Sequence, residues 1–571
     1  ALLKPCITMT LLAALSLCGL GGIAGYPSDV FDVRPSVTTL SGGKLSGIVE
    51  GGVQVFRGIP YAAPPVKDFR WMPPQPPIPW SGVRDASAYG NTCLQGSAKG
   101  EGSEDCLYLN VYSPPSLPAG NANTSLPCLV WIHGGAYEFG SSNQYNASEL
   151  GRFYMQSQQP AVIVTMNYRL NIFGFLGSDA LRGSDGSTGN FGIQDQRAAL
   201  RWVRSNIAVF GGDPERVMIF GQSAGAGSVT MHLSMPLSAG LFSSAIMESG
   251  AFSAWTAQPL SYSEKVYQQV LNVTGCMDAA CLRNFGAAEL VRSYKELPVG
   301  QCCRDTAGNP WIPWAPTVDG VELTQHPWDL VRIGRVNKVP LILGTNTDDG
   351  ASFEPLSYLT SIDHYKTAFN SWYGQVMGTH IASLAAAAYL SNENHAEVPE
   401  LSDAWWAAER SMTDQNFACP ARFASSQLAS HGVSLYQYLF SHVQSSTLHK
   451  PVVFHGDEVP FVFLMASSKA TLEEKAFAEE MASYWYRHAA FGNPNVQSNG
   501  SGPVPPVGPP VVPWPKVEHG TSGSYLRFDT KGKGGIRAVH TPFREGPCKF
   551  MTEWLEKSIA ASRAGAMTLF L

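Results

Sequence analysis

The pattern Gly-x-Ser-x-Gly occurs at residues 221–225, where it places Ser223 directly after the apolar run Val217–Phe220. When a strand ends in this pattern and turns sharply into a helix, the serine hydroxyl is lifted out of the sheet and a substrate can reach it. The two glycines meet a steric requirement, because a Cβ atom at either position would crowd the crossing of strand and helix. The chemistry that this pattern predicts is acyl transfer to a serine.

Glycine makes up 56 of the 571 residues, so an ordinary glycine-rich turn is the alternative interpretation of this motif. The residues around the motif help to decide between the two interpretations. The segment before Ser223 is β-branched and aromatic, as a buried strand would be. The segment Ala226–Leu233 can continue as a helix of small residues packed close to a sheet. This context favours the catalytic turn.

Buried strands alternate with helices along the chain, and an example of such a helix is Asp195–Asn206. This alternation predicts an α/β fold with a large, mostly parallel sheet covered by helices on both faces. The apolar strand candidates are Cys128–His133, Ala161–Asn167, Val217–Phe220 and Val339–Leu343.

No internal repeat or domain boundary is visible. The proline-rich segment Pro503–Pro515 is predicted to be a surface loop rather than a linker, because the strand-like segment Tyr525–Phe528 and the helix-like segment Phe550–Ser562 follow it. We therefore predict one domain over residues 26–571.

The composition narrows the classes of partner. The formal net charge is −6 and the charges form no basic stripe, which argues against nucleic acid. The 13 histidines are scattered, and no spacing of Cys and His resembles a zinc site. We expect neither a metal nor a cofactor, and the sequence does not indicate an oligomeric state.

The first 25 residues have the features of an export signal. Lys4 precedes the apolar stretch Met9–Gly22, and small residues for cleavage follow it. This stretch is too short to span a bilayer comfortably, and no other segment is long and apolar enough. The sequence therefore predicts a signal peptide over residues 1–25 and a secreted protein without a stable membrane span.

Cysteines and glycosylation sequons agree with export. Without Cys6 and Cys18, nine of the 11 cysteines remain, so at least one is a free thiol or pairs with another molecule. Two close pairs, Cys93 with Cys106 and Cys276 with Cys281, would each close a short surface loop. Asn-x-Ser/Thr sequons suit a secreted glycoprotein, and they begin at Asn123, Asn146, Asn272 and Asn499.

Several stretches in this order resemble the type-B carboxylesterase/lipase family, which includes the cholinesterases and has the α/β-hydrolase fold. The resemblance implies a serine esterase that acts on a small-molecule or lipid-like ester. Besides the serine turn, the matching stretches are residues 56–62 (Phe-Arg-Gly-Ile-Pro-Tyr-Ala), 104–112, 131–136 (Trp-Ile-His-Gly-Gly-Ala), 167–169, 210–214 and the segment around His455.

The family places a serine, an acid and a histidine in that chain order. The resemblance implies that Ser223 is the nucleophile and His455 the general base. The acid segment of the family reads Gly-x-Asn-x-Asp-Glu-Gly, and Asp349 stands here where the family usually has Glu. Asp349 is therefore the predicted acid, with Asp348 and Glu354 as alternatives.

The resemblance also assigns supporting residues. The backbone N–H groups of Gly135, Ala136 and Ala224 would form the oxyanion hole. Ser249 matches a family serine that supports the acid and the histidine from behind.

Disulfides between Cys93 and Cys106 and between Cys276 and Cys281 are implied by the resemblance too, as are ion pairs between Arg70 and Glu104 and between Arg169 and Asp195. The partners of the remaining cysteines stay open, namely Cys128, Cys302, Cys303, Cys419 and Cys548.

Departures from the family pattern narrow the substrate. The Cys93–Cys106 loop is short and has no aromatic residue, and Gln222 stands where cholinesterases have Glu, so choline esters are disfavoured. Leu94 is the loop's only bulky apolar residue, which favours soluble short- to medium-chain esters over an interfacial, triacylglycerol-type lipase activity. The competing functions are those of a non-catalytic binding or adhesion protein of the family and of a serine peptidase.

Overall fold

An 11-stranded sheet forms the centre of this computed structural model. The structure describes residues 34–95, 102–115, 125–295, 297, 314–353, 356–357, 360–391, 401–445, 452–465, 469–496, 512–518 and 523–563. In spatial order the strands are Ile48–Glu50, Val53–Pro60, Tyr108–Ser113, Val162–Met166, Leu126–Ile132, Gly212–Gln222, Ser244–Glu248, Leu341–Asn346, Leu435–Phe440, Tyr525–Phe528 and Arg537–Val539.

The strands from Val162–Met166 to Tyr525–Phe528 run parallel, and antiparallel strands extend the sheet at both edges. Two small sheets lie outside it: Ser36–Thr38 with Lys44–Ser46 and Val83–Asp85, and Gln258–Pro259 with Thr317–Val318. The predicted mostly parallel sheet is therefore confirmed, and each of the four strand candidates overlaps a strand of it.

Alternate side chains of the central strands pack on opposite faces of the sheet. In Leu126–Ile132, Val130 belongs to one hydrophobic cluster, whereas Leu129 and Trp131 belong to another. Every residue of this strand is buried, because helices cover both faces and successive side chains point to opposite sides.

The helices that cover the sheet include Phe191–Asn206, which contains the predicted helix Asp195–Asn206. The described helices are Ser148–Gln156, Asn171–Phe175, Phe191–Asn206, Ala224–Ser234, Leu260–Thr274, Ala279–Asn284, Ala287–Lys295, Pro327–Arg332, Ile362–Met377, Thr379–Ser391, Asp403–Thr413, Cys419–Ser430, Val459–Val462, Leu472–Phe491 and Glu545–Arg563. None of these helices is both long and apolar enough to cross a membrane.

Three disulfides link described residues. Cys93 bonds to Cys106 and Cys276 to Cys281, as the resemblance implies. The third disulfide, which the sequence left open, joins Cys419 at the start of helix Cys419–Ser430 to Cys548 in helix Glu545–Arg563.

Cys128 is a free thiol buried in strand Leu126–Ile132, and burial raises its pKa. Cys302 and Cys303 lie outside the described residues.

The two implied ion pairs are present. Nε of Arg70 lies 2.6 Å from Oε1 of Glu104, and Nη2 of Arg169 lies 2.7 Å from Oδ1 of Asp195. Both pairs are largely buried, and each arginine also donates to backbone carbonyl groups. The Arg70 pair connects the Cys93–Cys106 region to the end of helix Ala279–Asn284.

Several features of the predicted export signal and surface lie outside the described residues: the leader over 1–25, most of the proline-rich loop, and the sequons at Asn123 and Asn499. The leader and the single domain over residues 26–571 stay predictions. Asn146 and Asn272, which begin the other two sequons, are exposed.

Candidate active site

Ser223 lies at a sharp turn between strand Gly212–Gln222 and helix Ala224–Ser234. Its φ is 58° and its ψ is −125°, a backbone conformation that costs free energy for a residue with a side chain. The turn is tightly packed, because a Cβ atom on Gly225 would lie 2.1 Å from the carbonyl oxygen of Ile132. The structural context that the serine motif requires is therefore present.

His455 and Asp349 form a hydrogen-bonded pair. Nδ1 of the imidazole lies 2.8 Å from Oδ1 of Asp349, and Asp349 is fully buried. The second carboxylate oxygen of Asp349 accepts the Ser249 hydroxyl at 2.9 Å and the backbone N–H of Asn346 at 2.8 Å. These three bonds fix the carboxylate and, through it, the orientation of the ring.

Asp348, the first of the two alternative acids, has other partners than His455. Asp348 forms an ion pair with Arg410 and accepts the backbone N–H of Val453 at 2.8 Å. Glu354 lies outside the described residues. Of the two neighbouring aspartates, the one that contacts the imidazole is Asp349.

Adjacent parallel strands place Ser223 beside Ser249, which in turn contacts Asp349. Gln222 is paired in register with Glu248, and Glu248 is paired with Gly344. Ser223 and Ser249 each directly follow a strand, and the Ser223 N–H donates to the Glu248 carbonyl at 2.9 Å. Ligands of open α/β sheets bind at these carboxyl ends.

Three aromatic residues line the imidazole side of the site. The ring centroids of Phe353 and Phe417 lie 5.0 Å and 4.7 Å from that of His455, and Trp255 packs on Phe417. Nε2 of His455 is buried and has no hydrogen-bond partner among the residues that the structure describes. No sequence spacing pointed to Phe417, whereas Phe353 follows Asp349 by one helical turn.

The loop after strand Leu126–Ile132 presents backbone N–H groups beside Ser223. Gly135 and Ala136 have φ values of 107° and 55°, and within the described ranges their N–H groups donate no hydrogen bond. Gly134 lies so close to Ser223 that a Cβ atom on Gly134 would be 3.0 Å from Cβ of Ser223. Ala224 begins its helix, where N–H groups have no acceptor within the helix.

Two side chains that the sequence did not single out hold this loop. Nε2 of Gln95 donates to the Gly140 carbonyl at 2.7 Å, and the Gly140 N–H donates to Oε1 of Gln95 at 3.0 Å. The ring of His133 stacks on Tyr168 with centroids 4.5 Å apart. Burial lowers the pKa of His133 to about 4, so its ring is neutral at pH 7.

A buried polar cluster lies behind the Asp349–His455 pair. The side-chain amide of Asn346 donates to the Phe454 carbonyl at 2.8 Å and to the Glu458 carboxyl. Burial raises the pKa of Glu248 to about 8, and burial together with the nearby Glu248 raises the pKa of Glu458 well above its usual range. Both shifts favour the neutral form, so the cluster adds little negative charge behind the site.

One group of described residues has atoms spaced as metal ligands would be, namely Asp414, Cys419 and Cys548. The two sulfurs are bonded to each other, and Asp414 forms an ion pair with Arg544 at 2.8 Å. These residues are therefore already engaged and do not offer a metal site.

A mostly parallel sheet covered on both faces, with a serine turn after one of its strands, defines an α/β-hydrolase fold. Comparison with solved structures agrees. A PNB esterase structure superposes with a TM-score of 0.73 at 32% sequence identity, covering 90% of this chain and 100% of that one.

Sequence comparisons identify the family. The model of the carboxylesterase family matches residues 34–551. The para-nitrobenzyl esterase of Bacillus subtilis is 34% identical, over 81% of this chain and 91% of its own length. The pyrethroid hydrolase Ces2e of Rattus norvegicus is 33% identical, over 89% of this chain and 87% of its own.

The chain therefore belongs to the type-B carboxylesterase family. It is a carboxylic-ester hydrolase with the α/β-hydrolase fold.

Proposed function

We propose that the protein hydrolyses soluble short- to medium-chain carboxylic esters through an acyl-enzyme, with Ser223 as nucleophile, His455 as general acid and base, and Asp349 as the carboxylate that orients the imidazole. The observation that carries this proposal is the 2.8 Å contact between Asp349 and His455, which leaves Nε2 of the ring without a partner in the described structure. An imidazole held through Nδ1 presents Nε2 for proton transfer.

In the first half of the reaction, Nε2 of His455 takes the hydroxyl proton of Ser223 while Oγ attacks the ester carbonyl. The carbonyl oxygen becomes an oxyanion, which the N–H groups of Gly135, Ala136 and Ala224 would stabilise. Each such donor lowers the barrier by roughly 3–4 kcal/mol. The intermediate then breaks its bond to the alcohol oxygen, which receives the proton from Nε2.

In the second half, water attacks the acyl carbonyl and gives a proton to Nε2 of His455. The bond between the acyl carbon and Oγ of Ser223 breaks, and the serine recovers its proton from the imidazole. The carboxylic acid leaves, and no cofactor enters either half of the reaction.

The preference for soluble esters rests on the walls of the site. Leu94 is buried, so the one bulky apolar residue of the Cys93–Cys106 loop does not form an apolar surface for lipid. The aromatic side chains of Phe353, Phe417 and Trp255 would contact an acyl or alcohol group of modest size. The name of the Bacillus relative makes 4-nitrobenzyl esters an additional substrate to test.

We also propose that the protein is secreted and glycosylated. The leader over residues 1–25 supports secretion, and so do three disulfides, which persist in oxidising compartments. The exposed residues Asn146 and Asn272 would carry the glycans. Treatment of the protein from culture medium with a glycosidase, followed by mass measurement, tests both points.

The activity is tested with p-nitrophenyl esters from acetate to palmitate. We expect turnover with an optimum at short or medium chain length, and its loss in Ser223→Ala. The matched control is Ser430→Ala, since Ser430 is exposed at the end of helix Cys419–Ser430. An optimum at palmitate would contradict the preference for soluble esters, and no turnover by the folded protein would contradict the proposed reaction.

A further inference from the structure

Gln222 carries a buried side-chain amide whose nitrogen has no hydrogen-bond partner among the described residues. It is the last residue of strand Gly212–Gln222 and directly precedes Ser223. The residue is 8% exposed, and its Nε2 has no hydrogen-bond partner anywhere in the part of the chain that the structure describes. Because an unpaired buried N–H group is costly, its position calls for an acceptor from outside the chain.

The amide lies between two loops of the active site. A Cβ atom on Gly456, next to His455, would be 3.6 Å from Nε2 of Gln222. On the other side, a Cβ atom on Gly134 in the oxyanion loop would be 3.1 Å from Oε1 of Gln222. The absence of side chains at both glycines leaves room for the amide, which therefore stands beside the nucleophile and next to the general base.

The chemistry of the amide limits what can bind there. An amide N–H donates a hydrogen bond to an oxygen acceptor and carries no charge with which to attract a cation. A hydrocarbon group in the same place would leave the N–H unpaired. The better ligand is an ester with a second oxygen close to the ester group.

We propose that Gln222 determines specificity by donating a hydrogen bond from Nε2 to an ether or carbonyl oxygen that the substrate carries within a few bonds of the scissile ester. The protein then prefers oxygen-bearing esters to hydrocarbon esters of equal size. This inference rests on the proposed function, because it requires Ser223 and His455 to act on the same substrate.

Two esters of equal chain length test the inference: p-nitrophenyl methoxyacetate, which has an ether oxygen, and p-nitrophenyl butyrate, which has a methylene group in its place. The quantity measured is the ratio of kcat/KM for methoxyacetate to kcat/KM for butyrate. Differences in the chemical reactivity of the two esters cancel when this ratio is compared between the wild type and a variant.

Gln222→Met preserves the size of the side chain and removes the donor, so we expect the ratio to fall about fivefold, which corresponds to one hydrogen bond of average strength. Gln222→Leu also removes the donor and should lower the ratio, because its hydrocarbon side chain cannot donate a hydrogen bond. Gln268→Met is the matched control, since Gln268 is exposed on helix Leu260–Thr274. Labelling of Ser223 with a fluorophosphonate counts the active sites in every variant.

The outcomes separate the inference from the proposed function. If the wild type hydrolyses neither ester, both the inference and the proposed function are overturned. Activity on both esters, with a ratio in Gln222→Met within twofold of the wild type, would overturn only the role of Gln222. If Gln222→Met does not fold, the ratio in Gln222→Leu decides in the same way.

Discussion

Gln95 and Gly140 exchange two hydrogen bonds, which join the Cys93–Cys106 loop to the loop that carries the proposed oxyanion donors. Gly140 lies next to His133 and Gly134, since a Cβ atom on Gly140 would be 2.7 Å from Nδ1 of His133 and from the Gly134 carbonyl oxygen. The position of the N–H groups of Gly135 and Ala136 therefore depends on a side chain in a different, disulfide-closed segment.

Replacement of this clamp should slow the chemical step. We expect Gln95→Leu to lower kcat about 10- to 100-fold with little change in KM, because small displacements of oxyanion donors act mainly on the transition state. Steady-state kinetics on p-nitrophenyl butyrate measure both constants, and Gln268→Leu is the control. A rise in KM at constant kcat would mean that Gln95 contacts the substrate instead.

The two neighbouring aspartates should differ in the effect of the same substitution. We expect Asp349→Asn to lose roughly four orders of magnitude in kcat, as expected when a triad acid can no longer hold the imidazole tautomer. Asp348→Asn should keep most of the activity and lose stability, because it weakens the ion pair with Arg410. Kinetics and thermal melts of both variants check this, and the reverse pattern would move the acid to Asp348.

The buried Glu248 should make the folded state less stable as the pH rises. Its pKa is about 8 in the folded state and 4.5 as an ordinary glutamate, so between these pH values the folded protein holds a proton that the unfolded chain has released. The free energy of unfolding then falls with pH by at most about 1.4 kcal/mol per unit for this group. Glu248→Gln removes this dependence.

Melting temperatures at pH 5, 6, 7 and 8 test the expectation. Relative to the wild type, Glu248→Gln should gain stability progressively from pH 5 to pH 8. Glu556→Gln, at an exposed position of helix Glu545–Arg563, should show no such trend. A constant difference between Glu248→Gln and the wild type would show that Glu248 is ionised in the folded protein.

The disulfides should differ in their contribution to stability. Cys419 and Cys548 are separated by 129 positions, but Cys276 and Cys281 by only 5. Because longer closed loops restrict the unfolded chain more, loop entropy predicts a contribution of about 5 kcal/mol from the first disulfide and about 2 kcal/mol from the second. Denaturant midpoints of Cys419→Ala/Cys548→Ala and Cys276→Ala/Cys281→Ala measure the difference, and equal midpoints would contradict it.

The parallel sheet and the serine turn were predictable because they depend on local patterns. Strand Leu126–Ile132 is an uninterrupted apolar run, and the motif around Ser223 fixes the backbone by its glycines. The resemblance supplied His455 and Asp349, which are far apart in the chain.

The contacts of Phe417, Gln95 and Glu248 were not predictable in this way. Each of these side chains contacts a residue more than 30 positions away in the chain. No periodicity in the sequence encodes such a contact. Cys419 and Cys548 illustrate the same limit, since their separation alone favours no pairing over another.

The residues of the site are attached to the sheet in two different ways. Ser223, Ser249 and Asp349 follow the ends of three adjacent strands within one to three positions, whereas His455 lies outside the sheet, in the loop that precedes helix Val459–Val462. Loops generally open at lower free energy than the strands of a central sheet do. On heating, the loop that carries His455 should therefore open before the sheet melts. Thermal inactivation should then begin below the temperature of global unfolding. Cooling after a brief exposure to heat should restore activity without refolding of the core.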